Sequence, residues 1–329
     1  MEFGIGIPTC REGLNHPAPF AGPDEIVKMA QLAEKLDYDA IWGNDHTVPP
    51  VGALTKYPKP PNFYEAMVSL SYISQFAPKI KIGTGVIVLP IRNPVLLAKQ
   101  AATLDHFTKG RFLLGVGLGS LRYEFEALFP NKRGTRRGDV LDEGLEALQL
   151  LLTQDVASYK GNFYEFENIC ITPKPLQQPF PIYTSGNSAA VPKRVAKWCS
   201  GWLIGSTTGE AIRERWDMLN AALDEVGRDP NDVMMGAITT LSIGSTREEA
   251  INKMESAAIP RTKTPVTKGN PKIGYNNLVG SPSELIDQIK TMEEAGLTQC
   301  IAQNVAVNTV SEWNEMVQMF GEEVIPAFR

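Results

Sequence analysis

At 329 residues the chain exceeds a small domain yet stays within the span of one α/β barrel carrying insertions. Hydrophobic residues at 43% and charged residues at 21% support a large core and exclude wholesale disorder, while a net charge of −5 carries no basic footprint for nucleic acid. No apolar run reaches the ~18 residues of a membrane span, and MEFGIGIP reads as a strand rather than a signal peptide. Cys10, Cys170, Cys199 and Cys300 are scattered and only three histidines exist, so the expectation is a cytoplasmic chain with free thiols and no metal site.

Phe3 to Ile7 is the first expected strand. After a Gly/Pro/Asn-rich loop, Asp24 is expected to cap a helix whose stripe is Ile26, Val27, Ala30, Leu32, Ala33 and Leu36. The second strand, Asp39 to Gly43, ends in Asn44-Asp45-His46; a proline-rich excursion over 47–62 precedes a helix from Phe63 to Phe76. An apolar run from Ile80 to Leu89, helical text from Asn93 to Phe107 and a second apolar run from Arg111 to Gly117 then form a βαβ unit. Both runs are apolar throughout, as parallel strands covered on both faces must be. Gly83, Gly85, Gly115, Gly117 and Gly119 weaken these strands, and either turns and close packing or a flat ligand lying on the backbone explains them.

Beyond Ser120, leucines from Leu141 to Leu152 recur at helical spacing behind a basic loop, and an extended insertion covers about 155–181. Strands at Ile182–Thr184, Gly201–Ile204, Val233–Ile243 and Gln299–Gln303 alternate with helices. The segment 259–280 lacks periodicity and is long enough to act as a lid. Eight strands without a dividing linker predict an α/β fold, a (β/α)8 TIM barrel, as a single domain over 1–329 with insertions at 47–62, 155–181 and 259–280.

In such barrels the loops after the strands build the active site. His46 at the second strand's end can act as general acid or base, or with Asp45 it can simply cap the next loop. Ser185-Gly186-Asn187-Ser188 is expected to open a helix, which suits a phosphate or an ordinary N-cap equally.

DAIWGNDH, the stretch IKIGTGVIVLPIRNPVLLAKQAATLDHFTKGRFLLGVGLGS followed by YEFEALF, RGTRRGDVLDEGLEAL and PIYTSGNSAAVPKRVAKWCSGW together resemble the luciferase-like oxidoreductase and monooxygenase family. The likeness covers nearly the whole chain, includes the closing VGSPSELIDQI, and is greatest to the deazaflavin-dependent branch. It implies reduced FMN or coenzyme F420 bound at the strand ends, with His46 and Asp45 facing the ring. Gly85 and Val86 match a bulge that holds a non-prolyl cis peptide in many members. Gly117, Gly119, Gly186, Asn187 and Ser188 match positions around the ribityl and phosphate portion, with Ser185 beside them. Ser120 stands where sugar-phosphate dehydrogenases of the branch carry a glutamate, which puts that substrate class in doubt.

The resemblance thus implies F420-dependent hydride transfer to or from a small organic substrate. The alternatives are a reduced-FMN monooxygenase using O2, supplied by a flavin reductase, and a non-catalytic flavin-binding barrel. Family members pair through early helices, and Tyr64, Met67, Val68, Leu70, Ile73 and Phe76 suggest such an apolar homodimer surface. Neither nucleic acid nor membrane is an expected partner.

Overall fold

A computed structural model describes residues 1–57, 59–205, 208–259 and 277–329. In chain order, β1 (Glu2–Ile7), α1 (Pro23–Lys35), β2 (Ala40–Gly43), α2 (Ala66–Ile73), β3 (Lys81–Thr84) and β4 (Ile87–Val88) lead to α3 (Pro94–Phe107) and β5 (Phe112–Gly117). Next come α4 (Arg122–Leu128), α5 (Arg137–Thr153), β6 (Ala157–Lys160), β7 (Glu165–Ile169), β8 (Ile182–Ser185), α6 (Val191–Trp198), β9 (Gly201–Ile204) and α7 (Gly209–Asp224). The chain continues through β10 (Met234–Ile243), α8 (Arg247–Ser256), β11 (Asn277–Gly280), α9 (Pro282–Glu294), β12 (Gln299–Val305) and α10 (Val310–Glu323).

Strands β1, β2, β3, β5, β8, β9, β10 and β12 pair in that order, all parallel, and β12 returns to β1 with Glu2 opposite Gln299. This is the expected closed (β/α)8 barrel. On β1, Phe3, Ile5 and Ile7 join the main core with residues of the surrounding helices, and the alternating positions are glycines. A side chain at Gly4 would meet the Trp42 indole at 2.5 Å, because Trp42, Tyr183, Leu113, Leu203 and Ile301 fill the barrel interior. The Trp42 and Tyr183 rings meet edge to face at 6.0 Å. Truncating Trp42 to alanine would cost about 3–5 kcal/mol. With its axis plugged, the barrel leaves a ligand only the rim.

Several elements depart from expectation. The helix α1 is capped by Gly22, whose N–H donates to Glu25, and begins at Pro23, so Asp24 lies in the first turn instead of at the cap. The run from Ile80 to Leu89 is two short strands divided by a cis peptide between Gly85 and Val86. The helix expected from Phe63 to Phe76 is shorter and is capped by Glu65, which accepts from Val68 N–H at 2.7 Å. An antiparallel hairpin, β6 and β7, orders part of the 155–181 insertion. Within 259–280, β11 adds to β10 in parallel, a strand the sequence reading missed; the rest of that lid-like segment, 260–276, lies outside the described residues.

The expected dimer surface also divides. Met67, Leu70 and Ile73 are buried, while Val68 and Phe76 remain exposed together with Tyr72 of α2 and Leu96 and Phe107 of α3. No helix among the described residues is long and apolar enough to cross a membrane.

Candidate active site

Because the barrel strands are parallel, their carboxyl ends share one rim, and a cavity of about 300 Å3 opens there. That volume is at the small end of the range for organic ligands. Asp45 and His46 (after β2), Gly85 and Val86 (after β3), Gly119 and Ser120 (after β5), and Ser185 and Gly186 at the end of β8 all line it. Arg11, Val88, Leu118, Ile238, Gln303 and Asn304 complete the wall and were not singled out in the sequence. Gln303 and Asn304 had a usable signal, two adjacent polar residues after the apolar centre Cys300–Ala302 of the strand. Among the expected residues, Gly117, Asn187 and Ser188 stay off the wall. The missing Gly117 side chain is replaced by Ser185 Oγ and Val86, each 2.8 Å from where a Cβ would be. Asn187 accepts weakly from Gly205 N–H at 3.3 Å.

His46 is buried, and its Nδ1 lies 2.8 Å from Oε2 of Glu124, which is buried too. A carboxylate only accepts, so Nδ1 donates to Glu124, and in the neutral tautomer Nε2 keeps its lone pair. The other Glu124 oxygen takes Thr47 N–H at 2.5 Å and Val48 N–H at 3.4 Å. Glu124 thus fixes both the ring and the loop behind it. It is carried by α4, which follows β5, and the strand-end rule could not have found it.

Asp45 is brought to the cavity, but its carboxylate is engaged. Oδ2 accepts from Val88 N–H at 2.9 Å and Arg92 Nε at 3.1 Å, and Oδ1 from Arg92 Nη2 at 2.5 Å. Arg92 in turn pairs with Glu65 at 2.7 Å. A bidentate, charge-assisted clamp of this kind holds position. Asp45 thereby ties the Gly85–Val88 turn to β2.

Two neighbours of the site are chemically quiet. Burial pushes the Cys10 thiol up to about 12, which denies it a thiolate. Burial likewise pushes His16, stacked on Phe20, down to about 4, a neutral core imidazole.

The glycines of the two strand runs divide. At Gly83 the Trp42 ring, and at Gly115 the Thr84 carbonyl oxygen, occupy the space of the absent side chain, so these two serve packing. At Gly85 the space is taken by the Gln303 amide, whose Oε1 accepts no hydrogen bond although it is buried. The anticipated helix start at Ser188 moves: α6 opens at Val191 behind Ala190, which leaves Ser188 exposed in the preceding turn. Arg137 donates to the carbonyls of Leu118 and Gly119 at 3.2 and 2.9 Å, which puts one cation of the basic loop next to the rim.

A flat amide-bearing heterocycle fits this set. Val86, Val88, Leu118 and Ile238 supply apolar walls, the orphan Gln303 oxygen awaits a donor, and His46 adds one basic nitrogen.

Residues 1–299 match the family described as luciferase-like monooxygenase. Similar proteins include an FMNH2-dependent dimethylsulfone monooxygenase of Pseudomonas putida, 26% identical over 92% of this chain and 87% of that protein. Another is an F420-dependent glucose-6-phosphate dehydrogenase of Amycolatopsis mediterranei, 23% identical over 94% of this chain and 95% of the relative. The coenzyme F420-dependent tetrahydromethanopterin reductase from Methanopyrus kandleri shares the fold, with a TM-score of 0.77 at 20% identity over 100% of this chain and 99% of that one.

Proposed function

The chain belongs to the luciferase-like monooxygenase family, and from that premise we propose that it is a cytoplasmic oxidoreductase using coenzyme F420 or reduced FMN, with F420-dependent hydride transfer to or from a small organic substrate as its leading chemistry. The observation that carries the reading is the His46 imidazole, held by Glu124 with Nε2 free at the cavity. The deazaflavin, when bound, supplies the carbon that takes up or gives back the hydride. Gly85 and Val86 would back its ring, while Gly119, Ser185 and Gly186 would follow the side chain toward Asn187, Ser188 and Arg137, where a phosphate is welcome. Nε2 takes the proton that a substrate hydroxyl loses as the adjoining carbon is oxidised, and returns it in the reverse direction.

The alternative, a reduced-FMN monooxygenase fed by a separate flavin reductase, is favoured by the likeness to the dimethylsulfone enzyme across most of both chains. The unbroken barrel ladder supports treating residues 1–329 as one domain. Four free thiols accord with a reducing compartment.

Anaerobic fluorescence titration with F420 and with FMN, each in both oxidation states, followed by an O2-uptake assay with the cofactor that binds, is the test. Tight binding of F420 with no O2-dependent turnover supports the leading reading. Preference for reduced FMN, with O2 consumed, transfers the protein to the second, and binding of neither cofactor sinks both.

A further inference from the structure

Arg11 lines the cavity beside His46 and Gln303, and no carboxylate lies within ion-pair distance of it among the described residues. The nearby Asp45 is clamped by Arg92, and Glu124 by His46 and two backbone N–H groups. Nor can the remainder of the chain supply a counter-ion: Pro58, Ser206, Thr207 and residues 260–276 include no aspartate or glutamate. The hydrogen-bond network turns the Asn44 amide oxygen toward Arg11, where it accepts from Nε and Nη2 at 3.2 Å each and from Gln303 Nε2 at 2.6 Å. Nη1, with both of its hydrogens, and one hydrogen of Nη2 are left over. Burial lowers the guanidinium's proton affinity, yet a guanidinium does not surrender its proton in this range. The cavity therefore holds one uncompensated positive charge with a forked donor, next to an orphan acceptor on Gln303.

Arg11 is only partly buried, and its guanidinium, with no carboxylate partner, meets the cavity, where a ligand of opposite sign would complete its pairing. We propose that Arg11 is a specificity residue that grips a planar oxyanion in the cavity, either a carboxylate on the substrate or the anionic pyrimidine edge of the reduced cofactor. The guanidinium fork matches both, since each spreads one negative charge over coplanar acceptors. The inference rests on the cofactor reading above.

Arg11→Gln removes the charge, and Arg11→Lys restores it without the fork; circular dichroism checks that both fold. The first arm titrates FMN and F420 anaerobically. If Arg11 meets the ring, Arg11→Gln weakens the reduced form about tenfold more than the oxidised form and lowers the bound cofactor's midpoint potential, with partial recovery in Arg11→Lys. The second arm follows thermal unfolding with benzoate against benzyl alcohol. If Arg11 meets the substrate, benzoate stabilises the wild type, the effect vanishes in Arg11→Gln, and cofactor affinities do not move. Unchanged cofactor affinities together with a benzoate response identical in wild type and Arg11→Gln overturn the proposal and reduce Arg11 to a support for Asn44. A wild type that binds neither cofactor refutes the cofactor reading separately, and the benzoate arm then decides the role of Arg11 alone.

Discussion

In the proposed reaction His46 meets the substrate and Glu124, 2.8 Å from its Nδ1, holds the ring in place. His46→Ala should keep cofactor affinity while turnover falls by about 10²–10⁴, the usual worth of a positioned acid or base. Glu124→Gln keeps the size but must choose among the imidazole and two backbone N–H groups, so kcat should fall more than KM rises; a variant matching wild type in kcat would remove Glu124 from the mechanism. His16 acts on stability instead. Its folded value near 4 lies below the ~6.5 of an unfolded histidine, so only the unfolded chain takes a proton as pH falls through that interval. Stability is therefore full above about pH 6.5 and declines toward pH 4, by about 3 kcal/mol from this residue. Urea unfolding at pH 7.5 and pH 5 should show about 2 kcal/mol of that loss in wild type and a smaller one in His16→Gln.

Between the barrel and its rim, single side chains tie whole elements together. Glu12 is buried and accepts from Phe20 and Ala21 N–H with one oxygen, at 2.9 and 3.2 Å, and from Asn62 N–H with the other at 2.8 Å. It thereby fastens the loop after β1 to the end of the 47–62 excursion. Glu12→Ala should cost about 1–3 kcal/mol, since a buried carboxylate that satisfies three backbone donors is lost, and limited proteolysis should then cut near these loops before the barrel melts. Equal protease resistance would show that other contacts suffice. How far such elements can be read from sequence depends on what advertises them. All eight barrel strands were legible because strands buried on both faces leave continuous apolar runs. The four-residue β11 was hidden at the end of a Lys- and Pro-rich stretch, and Ser188 imitated a cap whereas the true N-cap, Ala190, has no side-chain acceptor to announce it. His46 was visible from its place after a strand. Glu124, Arg11 and Gln303 owe their roles to partners 78, 33 and 261 residues away, spacings no local pattern encodes.

At the scale of the molecule, Val68 at 67%, Tyr72 at 51%, Leu96 at 59% and Phe107 at 60% exposure form an apolar face across α2 and α3 that a lone chain has no reason to keep. A second copy of the chain covers it in the homodimer proposed here. Sedimentation at micromolar concentration should give a dimer for wild type and a monomer for Val68→Asp with Phe107→Asp; a wild-type monomer would remove this surface from the account.

The closure of β12 on β1 also dictates a timetable. Gln299 Nε2 donates to Glu2 at 3.2 Å across 297 residues of chain, so while a ribosome is still extending the polypeptide, the first strand has one neighbour and an open flank. Long-range pairing of this sort is slow, and an unpaired flank invites other chains. The barrel must wait for nearly all of its strands before β1 is sheltered on both sides. A nascent chain arrested before Gln299 should therefore bind a holdase chaperone through its N-terminal strands, and release of the full length should end that dependence within the time the last strand takes to dock.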